Sequence, residues 1–316
     1  MEPVKLALVL PCYNEEEVLP SSIHRLTVFY DGLVGSGTIS PDSRLVFVND
    51  GSKDRTWEII EEGFRNNRYV CGVNLAGNVG HQNAILAGMM TAKDIADVVV
   101  TIDADLQDDL NKIPEMLSKY REGCDIVYGV KNERKADSWF KRTTAILFYK
   151  MMKTLGVKSV YNHADFRMMS QRAVEELSRY QERNLFLRGI IPLIGYKSDV
   201  VYEDLAEREA GHSKYTLRKM MNLALDGVTS FSIKPVRFIF FLGIIFILLS
   251  LGILVYVAIS YFQHKAVAGW TSIILSLWFI GGCILSALGM IGEYVGKIYL
   301  EVKGRPRFNI EKTILH

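Results

Sequence analysis

Four carboxylates crowd one short stretch, Thr101 to Leu110, "TIDADLQDDL": Asp103, Asp105, Asp108 and Asp109. The residues before it, "DVVVTI" from Asp97 to Ile102, are apolar and β-branched, the composition of a buried strand. Two carboxylates at i and i+2 where such a strand ends cannot both be buried unpaired, because a bare charge there is very costly. A hard divalent cation resolves this: Mg2+ or Mn2+ takes oxygen ligands and keeps substrate phosphates in its shell. Asp103 and Asp105 therefore read as a metal and nucleotide pair, with Gln107 as a further oxygen donor. Asp108 and Asp109 stand just ahead of the helical pattern "NKIPEMLSKYREG", where the positive end of a helix dipole suits acidic residues.

A second cluster joins "PCYNEEE" with "VNDGSKDRT". Asp50 ends an apolar run, and Gly51 and Ser52 form a tight turn after it. A carboxylate there can accept from a base N–H, Glu15 can accept from ribose hydroxyls, and Tyr13 offers a ring face for stacking. The same residues also suit turn chemistry and the N-cap of a following helix.

These clusters need a frame. Short apolar runs cover Lys5 to Leu10, Arg44 to Val48, Val70 to Leu75, Val98 to Ile102 and Asp125 to Tyr128. Between them lie "EEEVLPSSIHRLTVFYDGL", "TWEIIEEGFRNN" and "NAILAGMMTAKDI", with apolar residues at helical spacing. Strands alternating with helices give an α/β fold, a mostly parallel sheet with helices on both faces. Ligands of such sheets sit outside the carboxyl ends of the strands, where every polar motif here falls. There is no GxGxxG and no GxxxxGK[ST], so neither a dinucleotide fingerprint nor a P-loop is supported. Cys12, Cys71, Cys124 and Cys283 form no CxxC pair, which argues against a disulfide framework and a zinc site. A formal charge of +2 over 316 residues gives no sign of a nucleic-acid partner.

The last third is of another kind. Phe238 to Gln263 and Ala266 to Gly292 carry no charged residue, and each is long enough to cross a bilayer. Lys214, Arg218, Lys219, Lys234 and Arg237 precede the first; Lys297, Lys303, Arg305 and Arg307 follow the second. The loop between offers only His264 and Lys265, so the positive-inside rule places both ends in the cytoplasm. Gly281, Gly282, Ser286, Ala287 and Gly289 permit close packing, against the first span or between copies in a homo-oligomer. Two further stretches have amphipathic patterns: Lys214 to Pro235, which runs into the first span, suits the membrane interface, while Asp137 to Met152 reads as an interfacial helix or, rather better on pattern alone, a core helix.

In this order, "PCYNEE", "VNDGSKDRT" and "DADLQDD" resemble the family 2 glycosyltransferases with a GT-A fold. "GNVGHQNAILAGM", "YGVKNERKADSWFKR", "ADFRMMS", "REAGHSKY" and "GEYVGKIYLEVKGRPRF" look like the polyprenyl-phosphate glycosyltransferases. That group contains dolichol-phosphate mannose synthase and the bacterial undecaprenyl-phosphate (bactoprenol) glucosyltransferases. The resemblance covers nearly the whole chain.

The resemblance implies a catalytic domain over 1–212, an interfacial helix over 213–235, two transmembrane helices over 236–293 and a cytoplasmic tail over 294–316. It implies a multi-pass protein of the inner membrane that moves a sugar from a nucleotide donor to undecaprenyl phosphate. Pro11, Tyr13, Glu15, Asp50 and Asp103 would hold the nucleotide. Asp103, Asp105 and Gln107 would hold Mg2+ or Mn2+ and, through it, the diphosphate. Arg134 and Arg142 would meet the lipid phosphate, and Arg208, Ser213 and Lys214 would close over the donor phosphates. Asp165 and Arg167 would sit near the transferred sugar, with Asp105 as the third catalytic residue. UDP-glucose is the favoured donor, ahead of UDP-N-acetylglucosamine and GDP-mannose. A processive polysaccharide synthase would carry QxxRW, and "QERNLFLRG" at Gln181 to Gly189 lacks the tryptophan. A non-catalytic lipid-binding scaffold would not need these carboxylates and basic residues.

Overall fold

Strand β1, Leu6–Cys12, is buried at every position. A continuous apolar run of this kind belongs in the middle of a parallel sheet, covered on both faces. The computed structural model places it there. The structure describes residues 3–131, 163–183, 185–203 and 269–316, with scattered positions between 236 and 252. On one side of β1 lie β2 (Arg44–Asn49) and β3 (Val70–Leu75), and on the other β4 (Val98–Thr101), all parallel. The connecting helices are α1 (Leu19–Gly35), α2 (Thr56–Asn66) and α3 (His81–Ala92). A 3-10 turn at Leu110–Lys112 leads into α4 (Ile113–Arg121).

Alternation along the strands divides the core. Leu6, Leu8 and Leu10 pack in one cluster with Leu26 and Tyr30 of α1, Ile60 of α2 and Met116 of α4. Val9 faces the other way, toward α3. A Cβ on Gly88 would lie 2.4 Å from Val9 Cγ1 and 2.7 Å from Val48 Cγ2, so glycine lets α3 approach the sheet closely. Helices on both faces are thus as the alternating pattern implies.

The other half of the sheet departs from a simple parallel series. The full order is β7-β5-β6-β4-β1-β2-β3-β8. Here β5 is Ile126–Lys131, β6 His163–Ser170, β7 Ser198–Glu203 and β8 Ile310–Ile314. The fifth apolar run does form a strand, but β6 separates it from β4 and pairs antiparallel with both. Periodicity misses β6 because its sequence, "HADFRMMS", places a charged arginine in the interior; Arg167 is fully buried. Short helices α5 (Gln171–Ser178) and α6 (Leu187–Ile190) follow β6.

Two compact units divide the chain; all eight strands belong to the first. Helix α7, Trp270–Val302, belongs to the second. Within it, Phe279–Val302 is the one stretch among the described residues long and apolar enough to cross a membrane, with mean hydropathy 1.5. At 33 residues the helix rises about 50 Å, against roughly 30 Å for a hydrocarbon core. It does not stop at Gly292, as a count of uncharged residues implies, because Glu293 and Lys297 lie one turn apart and pair at 4.0 Å without ending it. Of the first expected span, Phe238 to Gln263, only scattered helical positions are described, and both amphipathic stretches lie outside the described residues, so two spans are not established.

Past Gly304 the chain returns to the first unit and lays β8 antiparallel on the edge of β3. The residues expected as a tail thus close a sheet edge that would otherwise pair with other chains. The Ala76 N–H donates to the Asn309 carbonyl at 2.9 Å, and Asn74 Nδ2 donates to Glu311 Oε2 at 2.8 Å. His316 stacks on Phe64 with ring centroids 4.1 Å apart. Deleting residues 309–316 removes several ladder hydrogen bonds, each contributing about 1 kcal/mol. The thermal midpoint should fall by about 5 °C or more. An unchanged midpoint would contradict β8 as part of the domain.

Candidate active site

The carboxyl ends of β1 and β2 carry "PCYNEEE" and "NDGSKDRT", and the two loops are stitched together. Asn14 N–H donates to Ser52 Oγ at 3.0 Å, and Lys53 N–H donates to Asn14 Oδ1 at 2.9 Å. Glu15 N–H donates to Thr56 Oγ1 at 2.9 Å. Asn14 holds φ +54°, a left-handed conformation that asparagine tolerates. Pro11 is buried under this surface, Glu15 is half-buried, and Tyr13 is exposed with its ring available for stacking.

Asp50 is buried, and both its oxygens are engaged. Oδ1 accepts from the Val79 N–H at 2.7 Å and Oδ2 from the Gly80 N–H at 3.0 Å. Burial raises its pKa from the ordinary aspartate value, opposed by those two backbone hydrogen bonds. Asp50 therefore shapes the loop from Gly77 to Gly80 that leads into α3. Gly51 makes this possible: at φ +62° its Cβ would meet Asn78 N at 2.5 Å.

That loop delivers His81, the first residue of α3. Its Nε2 lies 3.5 Å from Asp103 Oδ1 and 3.5 Å from Asp165 Oδ2. Burial pulls the imidazolium pKa down, but the hydrogen bond to Asp165 and the charges of Asp103 and Asp165 outweigh it, so the net shift is upward.

After β4, "DADLQ" forms a strained turn. Leu106 N–H donates to the Asp103 carbonyl at 3.1 Å, and Leu106 holds φ +49°. A bulky residue in that region costs on the order of 1–3 kcal/mol. Burial of the Leu106 side chain offsets it and leaves Asp105 turned outward. The Gln107 side-chain amide donates to Asp105 Oδ2. Asp109 accepts from the Asn111 N–H at 3.0 Å and caps the turn into α4, so it serves the helix. Asp108 is buried.

Asp165, on β6 beside β4, faces two arginines and a histidine. Arg167 Nη2 donates to its Oδ1 from the protein interior. Arg188 of α6 forks onto it, Nε to Oδ1 at 3.3 Å and Nη2 to Oδ2 at 3.2 Å. Burial would raise the Asp165 pKa, but the His81 hydrogen bond and the two guanidinium charges hold it well below the usual carboxylate range.

Asp103 and Asp105 fit a divalent cation by the chemistry of their donor set. Among the described residues no three His, Cys, Asp or Glu side chains converge as a ready-made cage. Mg2+ does not require one, since it binds through one or two carboxylates and completes its shell with water and substrate phosphates. Asp103 is half-exposed and Asp105 exposed at the strand end, open to such a complex.

Asp50, Asp103, Asp105, Gln107 and Asp165 thus lie at the edge of the sheet where the parallel strands β2 and β4 end and antiparallel β6 begins. Arg167 does not present itself there: its guanidinium is fully buried behind Asp165. Arg134, Arg142, Arg208, Ser213 and Lys214 lie outside the described residues. The reading of spacing alone missed His81 and Arg188. His81 sat in "GNVGHQ" with no chemical partner nearby in sequence, and Arg188 lay in "QERNLFLRG", which was weighed only for its missing tryptophan.

An open α/β sheet with acidic loops at the ends of its parallel strands is the nucleotide-sugar-binding arrangement of the GT-A fold. Residues 7–178 match the family model described as glycosyl transferase family 2. The uncharacterized glycosyltransferase YkoT of Bacillus subtilis is 51% identical over 98% of this chain and 92% of its own length. YkcC of the same organism, also an uncharacterized glycosyltransferase, is 37% identical over 98% and 94%. The SfII prophage-derived bactoprenol glucosyl transferase of Shigella flexneri is 38% identical over 98% of each chain. The chain belongs to glycosyl transferase family 2.

Proposed function

We propose that this glycosyltransferase moves a glucosyl group from UDP-glucose to undecaprenyl phosphate on the cytoplasmic face of the membrane. The observation that carries the reading is the reach of the relative named bactoprenol glucosyl transferase, which aligns over 98% of this chain, including the apolar C-terminal third. The product, a lipid-linked sugar, would serve as donor for modification of a cell-surface glycan.

A lipid phosphate oxygen attacks the anomeric carbon, the bond from that carbon to the diphosphate oxygen breaks, and its electron pair leaves with UDP. Configuration inverts. A phosphate monoester has its second pKa near about 6, so the acceptor is already largely a dianion and no base need take a proton. That agrees with Asp165, whose depressed pKa makes it a poor base. Asp103 and Asp105 would hold Mg2+ or Mn2+, whose charge stabilises the leaving diphosphate. Tyr13, Pro11 and Glu15 would line the nucleoside, with Asp50 fixing the loop beside it. Arg167 would act through Asp165 and not on the sugar. By motif, Arg134 and Arg142 would receive the lipid phosphate, and Arg208, Ser213 and Lys214 would cover the donor.

Parallel reactions with UDP-glucose, UDP-N-acetylglucosamine and GDP-mannose, each with undecaprenyl phosphate and Mg2+, test the donor. Sugar should enter the lipid fraction from UDP-glucose at the highest rate. A higher rate from either of the others would replace glucose as the transferred group.

A further inference from the structure

We infer that Glu311, on the edge strand β8, is a positioning residue of the nucleotide site and acts on it through Asn74, Asn49 and Ser52. The inference rests on the placement of the nucleoside against Tyr13 and Glu15 proposed above. Its ground is a line of hydrogen bonds that crosses from β8 over β3 to the turn after β2. Asn74 Nδ2 donates to Glu311 Oε2 at 2.8 Å. Asn49 Nδ2 donates to Asn74 Oδ1 at 2.7 Å. Asn49 Oδ1 accepts from the Ser52 N–H at 3.2 Å. Ser52 Oγ in turn accepts from the Asn14 N–H at 3.0 Å. Asn14 stands between Tyr13 and Glu15, and its φ of +54° sets the turn that separates them.

The two ends fix the direction of the line. A backbone N–H only donates and an ionised carboxylate only accepts. With the Ser52 N–H at one end, Asn49 turns its carbonyl there and its amide nitrogen to Asn74. Asn74 must then offer its own nitrogen to an acceptor, and Glu311 supplies one. Neither amide can reverse without losing both of its bonds in the line. Asn49 is buried, so an unmade bond there is costly. The position of Glu311 is built for this contact. Asn49 and Asn74 are register partners on adjacent parallel strands, so their side chains share one face of the sheet. On β8 the pairing steps from Asn74 with Lys312 to Leu75 with Ile310, which leaves Glu311 as the extra residue of a β-bulge. A bulge re-aims a side chain. Here Glu311 reaches Asn74 while the adjacent Lys312 pairs with Glu61 of α2 at 2.6 Å. Backbone pairing alone would hold β8 on the sheet edge. The line adds a contact from that strand to the loops assigned to the nucleoside.

The experiment compares wild type, Glu311→Ala, Glu311→Gln, Asn74→Asp, the double variant Asn74→Asp/Glu311→Gln and Lys312→Ala as full-length protein in detergent. Calorimetry reads the affinity for UDP with Mg2+, initial rates read the KM for undecaprenyl phosphate, and thermal midpoints show that each variant is folded. Glu311→Ala should weaken UDP by about fivefold or more and leave the lipid KM within about twofold. Glu311→Gln keeps an oxygen for Asn74 to donate to and should stay near wild type. Asn74→Asp sets two carboxylates together and should weaken UDP as Glu311→Ala does. Adding Glu311→Gln restores a donor and an acceptor with their roles exchanged and should recover the affinity. Lys312→Ala loosens the same strand outside the line and should leave UDP affinity within about twofold of wild type. If Glu311→Ala does not fold, Asn74→Asp and its rescue carry the comparison. UDP affinity within about twofold of wild type in both Glu311→Ala and Asn74→Asp would overturn the inference. An equal loss in Lys312→Ala would overturn it too, because strand docking alone would then explain the effect. If wild type binds UDP but forms no lipid product, the transfer reading fails while the UDP comparison still decides the role of Glu311. If wild type binds GDP in place of UDP, the donor reading fails and the same comparison with GDP decides it.

Discussion

Asp105→Ala should abolish sugar transfer and leave the protein folded. The carboxylate is exposed at the tip of the "DADLQ" turn, and its described hydrogen bonds are local, to Gln107. Substitution at such a position changes stability by about 0.5 kcal/mol or less. The charge stabilisation that a divalent cation gives a leaving diphosphate amounts to several kcal/mol. At roughly 1.4 kcal/mol per tenfold, the rate should drop about a thousandfold or more. Initial rates at limiting Mg2+, set beside thermal midpoints, separate the two effects. Full activity of Asp105→Ala at limiting metal would refute the metal assignment, while a collapsed midpoint would show that the turn depends on this side chain.

Asp165→Ala should act in the opposite way, on stability first. It strands the Arg167 guanidinium, which is fully buried, without its carboxylate. Removing one partner of a buried pair typically costs about 3–5 kcal/mol. The pH dependence has a definite sign. The Asp165 pKa is lower folded than unfolded, so its contribution is fully present above the unfolded aspartate value and is lost as pH falls through the folded one. The stability gap between wild type and Asp165→Ala, measured by urea unfolding, should therefore persist at the ordinary aspartate value and narrow only in stronger acid; nearer neutral pH it should grow as pH falls and His81, whose pKa Asp165 helps raise, takes its proton. A gap that widens as pH falls through the ordinary aspartate value, about 4, would mean that Asp165 is protonated in the native state.

Much of this was legible in the residues. The apolar runs that end at "PCYN", "NDGS" and "DADLQ" are β1, β2 and β4, and parallel pairing brings their ends together. A buried parallel strand has one composition, and its exit loop has another, so the boundary shows in the sequence. What stayed hidden depends on long-range pairing. Strand β6 hides because its central arginine is neutralised by Asp165 two residues earlier and by nothing a periodicity count detects. Strand β8 hides because its pattern, "IEKTI", is that of a solvated edge, and only β3 gives it a place. His81 and Arg188 are separated by more than a hundred residues, and the clasp between Gln82 and Leu187 that brings them together leaves no local signature. Asp50 was legible as a strand-end carboxylate but not in its partners, because the amides of Val79 and Gly80 come from the loop that follows β3.

The transfer itself is the measurement to make: radiolabelled UDP-glucose, undecaprenyl phosphate and Mg2+ with the purified full chain, counting label in the lipid fraction. Label should appear there, require the lipid phosphate, and vanish on chelation of the metal and in Asp105→Ala. Free glucose released at the same rate with or without the lipid, and no label in the lipid fraction, would contradict a polyprenyl phosphate acceptor.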